Sequence, residues 1–118
     1  MGWIFDNIRP IYLQRADRLE GDILSGKLKK GERVKSVREL ALEASVNPNT
    51  MQRAMQELEA RGLVTVQRTS GRQVTEEDEV INKARGKLAL NNVHEFSSQM
   101  KALGFTREEI INILNEEW

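Results

Sequence analysis

The sequence predicts a mainly α-helical fold carrying one small β-hairpin, and three observations predict it. Two runs of three-and-four apolar spacing, over 40–44 and 51–58, flank a short break at Ser45 and Val46. Over 63–75 the period changes to two, on either side of Thr69, Ser70 and Gly71. Beyond Thr75 the helical period returns, and apart from Gly86 neither Gly nor Pro interrupts it as far as Leu103.

Taken in order, residues 1–10 hold Trp3, Ile4, Phe5 and Ile8, apolar enough to pack, yet no helical face continues through Pro10. A short lead-in against the first helix or a partner chain is expected there. From Ile11 onward Tyr12, Ala16, Leu19 and Ile23 follow a four-three-four spacing, with Arg15, Asp17, Arg18, Glu20 and Asp22 largely outside and Ser25 and Gly26 closing the helix. Residues 27–35, KLKKGERVK, form a basic connector whose charges either solvate a loop or, at Arg33 and Lys35, meet phosphate. Ser36 and Glu39 have the reciprocal spacing of a capping box, so a second helix begins there and turns Leu40, Ala41 and Ala44 inward. Asn47 followed by Pro48 starts a third, since Asn caps well and Pro at the first helical position loses no hydrogen bond. Met51, Ala54, Met55 and Leu58 make its buried face, and Gly62 suits the left-handed position past its end.

After Gly62, Leu63, Val64, Thr65, Val66, Gln67 and Arg68 suit a strand, and Arg72, Gln73, Val74 and Thr75 its antiparallel return. Helix, helix-turn-helix and hairpin, in that order, make a winged helix. Thr75 with Asp78 resembles a further helix start, and Glu76, Glu77, Asp78 and Glu79 favour the positive end of its dipole. Ala89, Val93, Phe96, Met100 and Leu103 then repeat at four-three-four-three, the seam of a helix that packs on another helix. Gly104 stops it. Thr106 and Glu109 give one more capping box, opening a last amphipathic helix with Ile110, Ile111, Ile113, Leu114 and Trp118. Two helices of this size enclose too little core to bury both seams, so the remaining apolar surface is expected to meet a second copy of the chain.

The chemistry of the second and third helices points to nucleic acid. Asn49, Thr50, Gln52 and Arg53, crowded into the first turns of the third helix, all donate or accept hydrogen bonds and stay off the apolar face. In a helix-turn-helix that N-terminal part meets base edges in the major groove. Arg68 and Arg72 flank the hairpin tip, where a narrow minor groove concentrates negative potential. The plainer reading is an ordinary helical hairpin followed by a surface hairpin with incidental arginines. A net charge of zero hides an asymmetry: residues 1–75 hold 13 Lys and Arg against 9 Asp and Glu, and residues 76–118 hold 5 against 9. A basic part followed by an acidic one suits a phosphate-contacting module with a separate partner-binding segment.

Other function classes find little support. The chain has no cysteine, which removes disulfides, thiolate catalysis and cysteine-ligated metals. The only histidine, His94, stands beside Glu95 in mid-helix with no second histidine to complete a metal set or a triad. The glycines sit singly at helix ends and turns, so neither a phosphate loop nor a dinucleotide fingerprint is present. An enzyme is therefore not expected, and no metal or cofactor. No apolar run approaches the roughly 18 residues that span a bilayer, and no signal segment opens the sequence. A cytoplasmic protein without a membrane partner is expected.

Residues 10–75, from PIYLQRADRLEGDILSGKLKKGERVKSVRELALEASVNPNTMQRAMQELEARGLV to TVQRTSGRQVT, resemble the N-terminal winged-helix domain of the GntR family of bacterial transcription regulators. The opening Trp3, Phe5 and Asp6, NPNT at 47–50 and KALGFTREEIINIL at 101–114 are similar to its YtrA subfamily in particular. The resemblance implies a DNA-binding domain over 1–75 and a helical dimerisation domain over 76–118. It places Arg38 on the family's DNA-contacting arginine, Asn47, Asn49, Thr50, Gln52 and Arg53 on recognition-helix positions, and Gly71 in the wing that reaches the minor groove. With Arg33, Lys35, Ser36, Arg68, Thr69, Ser70 and Arg72 these make the expected DNA-binding set. Ala89, Val93, Phe96, Met100, Leu103, Ile110, Ile111, Leu114 and Trp118 make the expected dimer interface.

Three departures from the family pattern stand out. Lys30 and Lys35 replace prolines, which loosens the connector and adds charge, and Thr69 replaces a wing glycine. Arg72 stands where a smaller residue is usual and is expected to compensate by gripping phosphate. The family further implies a homodimer, a double-stranded DNA operator of approximate two-fold symmetry, and repression of a transporter operon that includes the regulator's own gene. The 43 residues after Thr75 offer little room for a ligand pocket, so a small-molecule effector would bind at the dimer or interdomain interface. The competing reading is a protein-protein interaction module built on a winged-helix scaffold, whose third helix would present a more apolar outer face.

Overall fold

The computed structural model describes residues 9–69 and 71–118. Apart from Arg9 and Pro10, the lead-in expected over 1–10 lies outside the described residues. Helix α1 (Ile11–Leu24) starts on the Pro10 carbonyl, which accepts from the amides of Leu13 and Gln14. Helix α2 (Val37–Ala44) follows the connector and α3 (Pro48–Ala60) follows the break, both with the caps that their sequences predict. Ser36 Oγ accepts from the Glu39 amide at 3.1 Å while the Glu39 carboxylate accepts from the Ser36 amide at 3.3 Å. At α3 the Asn47 side chain accepts from the Asn49 amide at 2.7 Å, and Pro48 is the first helical residue.

One face of α3 builds the core. Met51, Ala54, Met55 and Leu58 are all buried, against Ala16 and Ile23 of α1 and Ala41 of α2. Full burial of a side chain the size of Met or Leu contributes about 1.5–3 kcal/mol. The helix ends by a Schellman motif: Leu63 N–H donates to the Leu58 carbonyl and Gly62 N–H to that of Glu59, with Gly62 at φ +79°. Arg61, at the end of α3, reaches across to α1. It donates to Glu57 at 2.9 Å, Asp17 at 3.0 Å and Glu20 at 3.3 Å. Burial works against its charge, but these carboxylates outweigh it and hold the guanidinium above its ordinary pKa.

The hairpin comprises β1 (Val64–Gln67) and β2 (Gly71–Val74), antiparallel, with Val64 opposite Val74 and Gln67 opposite Gly71. β1 is shorter than the sequence suggests, by Leu63 and Arg68, and β2 keeps its expected length but runs one residue earlier, from Gly71 instead of Arg72. Leu63 N–H is taken by the end of α3, while its carbonyl still accepts from Thr75 N–H at 2.9 Å just beyond the strand ends, and the Thr75 hydroxyl accepts from the Glu77 amide at 3.2 Å. The connector, expected as a loose basic loop, is instead attached to this hairpin. Val34 N–H donates to the Arg72 carbonyl and Val74 N–H to that of Glu32, both at 2.9 Å, so that Arg33 bridges to Gln73 along the free edge of β2. Gly31, at φ +73°, donates to the Val74 carbonyl at 3.0 Å, and a Cβ there would come within 2.8 Å of the Glu76 carboxylate. Lys30, where a proline was the family's habit, pairs with Asp78 at 2.7 Å.

Helix α4 (Asp78–Ala102) begins two residues later than the Thr75 cap predicts; Thr75 is buried and its hydroxyl accepts from the Glu77 amide in the turn before the helix. Helix α5 (Arg107–Glu117) carries the full Thr106–Glu109 capping box, and Gly104 before it lies at φ +88°. Contacts divide the chain into two compact units, with the boundary between Lys83 and Ala84 inside α4. The second unit is built of helix alone, and neither α4 nor α5 contains a buried residue.

Candidate nucleic-acid interface

The polar side chains of α3 lie where the cap and the core leave them. With Met51, Ala54, Met55 and Leu58 turned inward, Asn49 and Arg53 are exposed and Thr50 and Gln52 half-buried. The first turn of α3 carries no acidic residue, so the positive end of its dipole is left uncompensated. Asn47, exposed, spends its carbonyl oxygen on the cap. Arg53 is not a free arm: its guanidinium stacks 4.1 Å from the centroid of the Tyr12 ring on α1. No spacing rule could have paired those two, since they are brought together only when α1 packs on α3.

The cations divide into free and engaged. Arg33, Arg38 and Arg68 are exposed and, among the described residues, make no ion pair. Arg38 projects from the first turn of α2, two residues after Ser36, whose hydroxyl serves the cap. Lys35 is bonded to Glu43 at the far end of α2. That hydrogen bond, and the charge behind it, raise its pKa above the ordinary lysine value. Arg72 is bonded to Glu59 on α3, not left open to solvent. At the wing tip Arg68 and Thr69 are exposed and Gly71 enters β2 at φ +76°; Ser70 lies outside the described residues. The bridge of Arg33 to Gln73 brings the connector's basic residues beside the wing, a proximity that the sequence does not announce.

A helix-turn-helix with an open polar N-terminal face, flanked by unpaired arginines and a two-stranded wing, has the layout of a DNA-reading module. Comparison with known proteins decides which one. The family model for bacterial regulatory proteins of the gntR family matches residues 11–74, more than half of the chain. The chain belongs to the GntR family. It is 38% identical to the HTH-type transcriptional regulator YhcF of Bacillus subtilis over 107 residues, covering 91% of this chain and 88% of that protein. The HTH-type transcriptional repressor YtrA of the same organism is 39% identical over 67 residues, covering 57% of this chain and 52% of its own length. Among solved structures, a GntR family transcriptional regulator from Listeria monocytogenes superimposes with a TM-score of 0.84 at 34% identity, covering 92% of this chain and 95% of that one.

The GntR match covers α1 through β2, the part in which the polar face of α3 and the wing lie. The protein is thus a DNA-binding transcriptional regulator with YtrA-like relatives, and neither its fold nor those relatives are those of an enzyme. Among the described residues no helix is long and apolar enough to cross a membrane, and no group of three metal-ligating side chains gathers.

Proposed function

We propose that this GntR regulator acts as a dimeric repressor of a transporter-type operon that includes its own gene, binding a roughly palindromic operator. In this reading α3 lies in the major groove, with Asn49, Thr50, Gln52 and Arg53 toward base edges, and the wing, with Arg68, Thr69 and Gly71, enters the adjacent minor groove. Arg33, Lys35 and Arg38 hold phosphate; Lys35 exchanges Glu43 for it on binding. Residues 1–75 do the reading and residues 76–118 the pairing. The observation that carries the proposal is the division of α3: a wholly buried apolar face, and an opposite face that is polar at the end where a recognition helix meets bases. That polar face ill suits a protein-docking module, whose centre would be apolar. The sign of regulation is supported by the relative named as a repressor.

Pairing is supported by α4 and α5. Val93 is 59% exposed, Leu103 69% and Trp118 fully, while Phe96, Ile111 and Leu114 are exposed to lesser degrees, more apolar surface than a helical pair leaves open without a partner. The test is a gel-shift titration against the promoter region of the protein's own operon and against random duplex at about 150 mM salt. Specific binding is expected to be at least about a thousandfold tighter. Equal affinity for the two would reject the proposal.

A further inference from the structure

Arg72 and Glu59 form an ion pair between the second strand of the wing and the last turns of α3. Their side chains are only 21% and 30% exposed, whereas the partners in the Lys30–Asp78 and Lys35–Glu43 pairs are all more than half exposed. At that degree of cover solvent and salt screen the attraction less, and the planar guanidinium adds direction to charge. The same strand is held along its other edge, where the Arg72 carbonyl accepts from Val34 N–H. The wing is therefore tied to the connector through its backbone, and beside the buried Val64 and Val74 at its base the Arg72–Glu59 pair adds a polar side-chain tie to the recognition helix.

We propose that Glu59 is a positioning residue for DNA readout: through Arg72 it sets the angle between wing and recognition helix, so that the wing tip meets the minor groove at a defined distance from the bases under α3. The inference rests on the minor-groove role given to the wing above. It assigns Arg72 to the protein instead of to phosphate, because a cation already neutralised by a half-covered carboxylate releases no counterion when DNA arrives. Arg68 and Thr69, which make no such tie, are the groups that this clamp aims.

The test uses the full chain and an operator selected from random duplexes, with the base pairs beneath the wing then switched between A·T and G·C. The wild type is expected to favour the A·T version by roughly fivefold or more. A wild-type ratio near one overturns the wing's role and the inference with it. Where the preference is present, Glu59→Gln and Arg72→Gln each bring the ratio close to one without altering the slope of log affinity against log salt, and the double variant loses no more than either alone. Arg72→Lys, which keeps the charge pair without the planar fork, restores part of the ratio, an outcome that a general loss of stability would not produce. A Glu59→Gln protein that retains the wild-type ratio sinks the inference and leaves wing readout standing. Tighter binding by Glu59→Gln, with the salt slope steeper by about one, also sinks it, since Arg72 would then be a phosphate contact held in check. Thermal unfolding checks that each variant is folded; should Glu59→Gln fail to fold, Arg72→Gln carries the same comparison from the wing side.

Discussion

Ser45 sits in the turn between α2 and α3 at φ 53°, the one non-glycine residue with positive φ among the described residues. Its amide donates to the Leu42 carbonyl and that of Val46 to Ala41, the closing pattern that usually takes glycine. A side chain in this region carries a cost of about 1–2 kcal/mol, and a β-branched one carries more. Ser45→Val is therefore expected to lower the melting temperature, whereas Ser45→Gly leaves it equal or higher; calorimetry of the two variants decides. Gln52 and Arg38 separate the two kinds of DNA contact at the same scale. Gln52→Ala is expected to relax preference at one base pair, with a loss of about 1–3 kcal/mol for the preferred sequence. Arg38→Gln should weaken all sequences alike and reduce the salt slope by about one, which binding assays at several salt concentrations would register.

At the scale of elements, α2, α3 and α5 are opened by side-chain caps, whereas α1 starts without one. In the Thr106–Glu109 box of α5 the cap is sensitive to pH. The backbone amide and then the hydroxyl of Thr106 stabilise the ionised carboxylate, so Glu109 is held below its ordinary pKa. A lowered carboxylate pKa contributes stability that is present above the ordinary value and is lost as pH falls through the lowered one. The first turn of α5 is thus expected to fray only as pH falls below the ordinary carboxylate range, seen as faster amide exchange at Glu109 and Ile110. Glu109→Gln keeps the hydrogen bond without the charge and should flatten that pH response. An unchanged response would mean that some other carboxylate is responsible. The caps were legible because capping is a relation between residues two or three apart, and the strand boundary at Leu63 shifted where its amide was claimed by the end of α3.

At the scale of the whole molecule, the α4 and α5 surfaces bear on the proposed dimer. Placing a carboxylate among Val93, Phe96 and Met100 leaves a charge with no partner wherever that seam is covered. Phe96→Glu is expected to convert a sedimenting dimer to single chains at micromolar concentration. Operator affinity should fall by roughly a hundredfold or more, because two half-sites would no longer be bound as one linked event. Wild-type protein that sediments as single chains at the concentration where it binds DNA would remove the dimer from the proposal.

The sequence by itself determined the order of elements, the caps of α2, α3 and α5, and the buried face of α3, because these depend on periodicity and on contacts a few residues long. The same local rules placed Asn49, Thr50, Gln52 and Arg53 off the core, and the family's motifs ran the length of the winged helix. Only the tertiary structure decided which cations are free. Arg53 against Tyr12, Lys35 against Glu43 and Arg72 against Glu59 are pairs 41, 8 and 13 residues apart, and the connector became a third rung on the hairpin. A charge seen in sequence looks the same whether it faces solvent or a carboxylate; the difference arises when helix and wing are packed together and the water between them is lost.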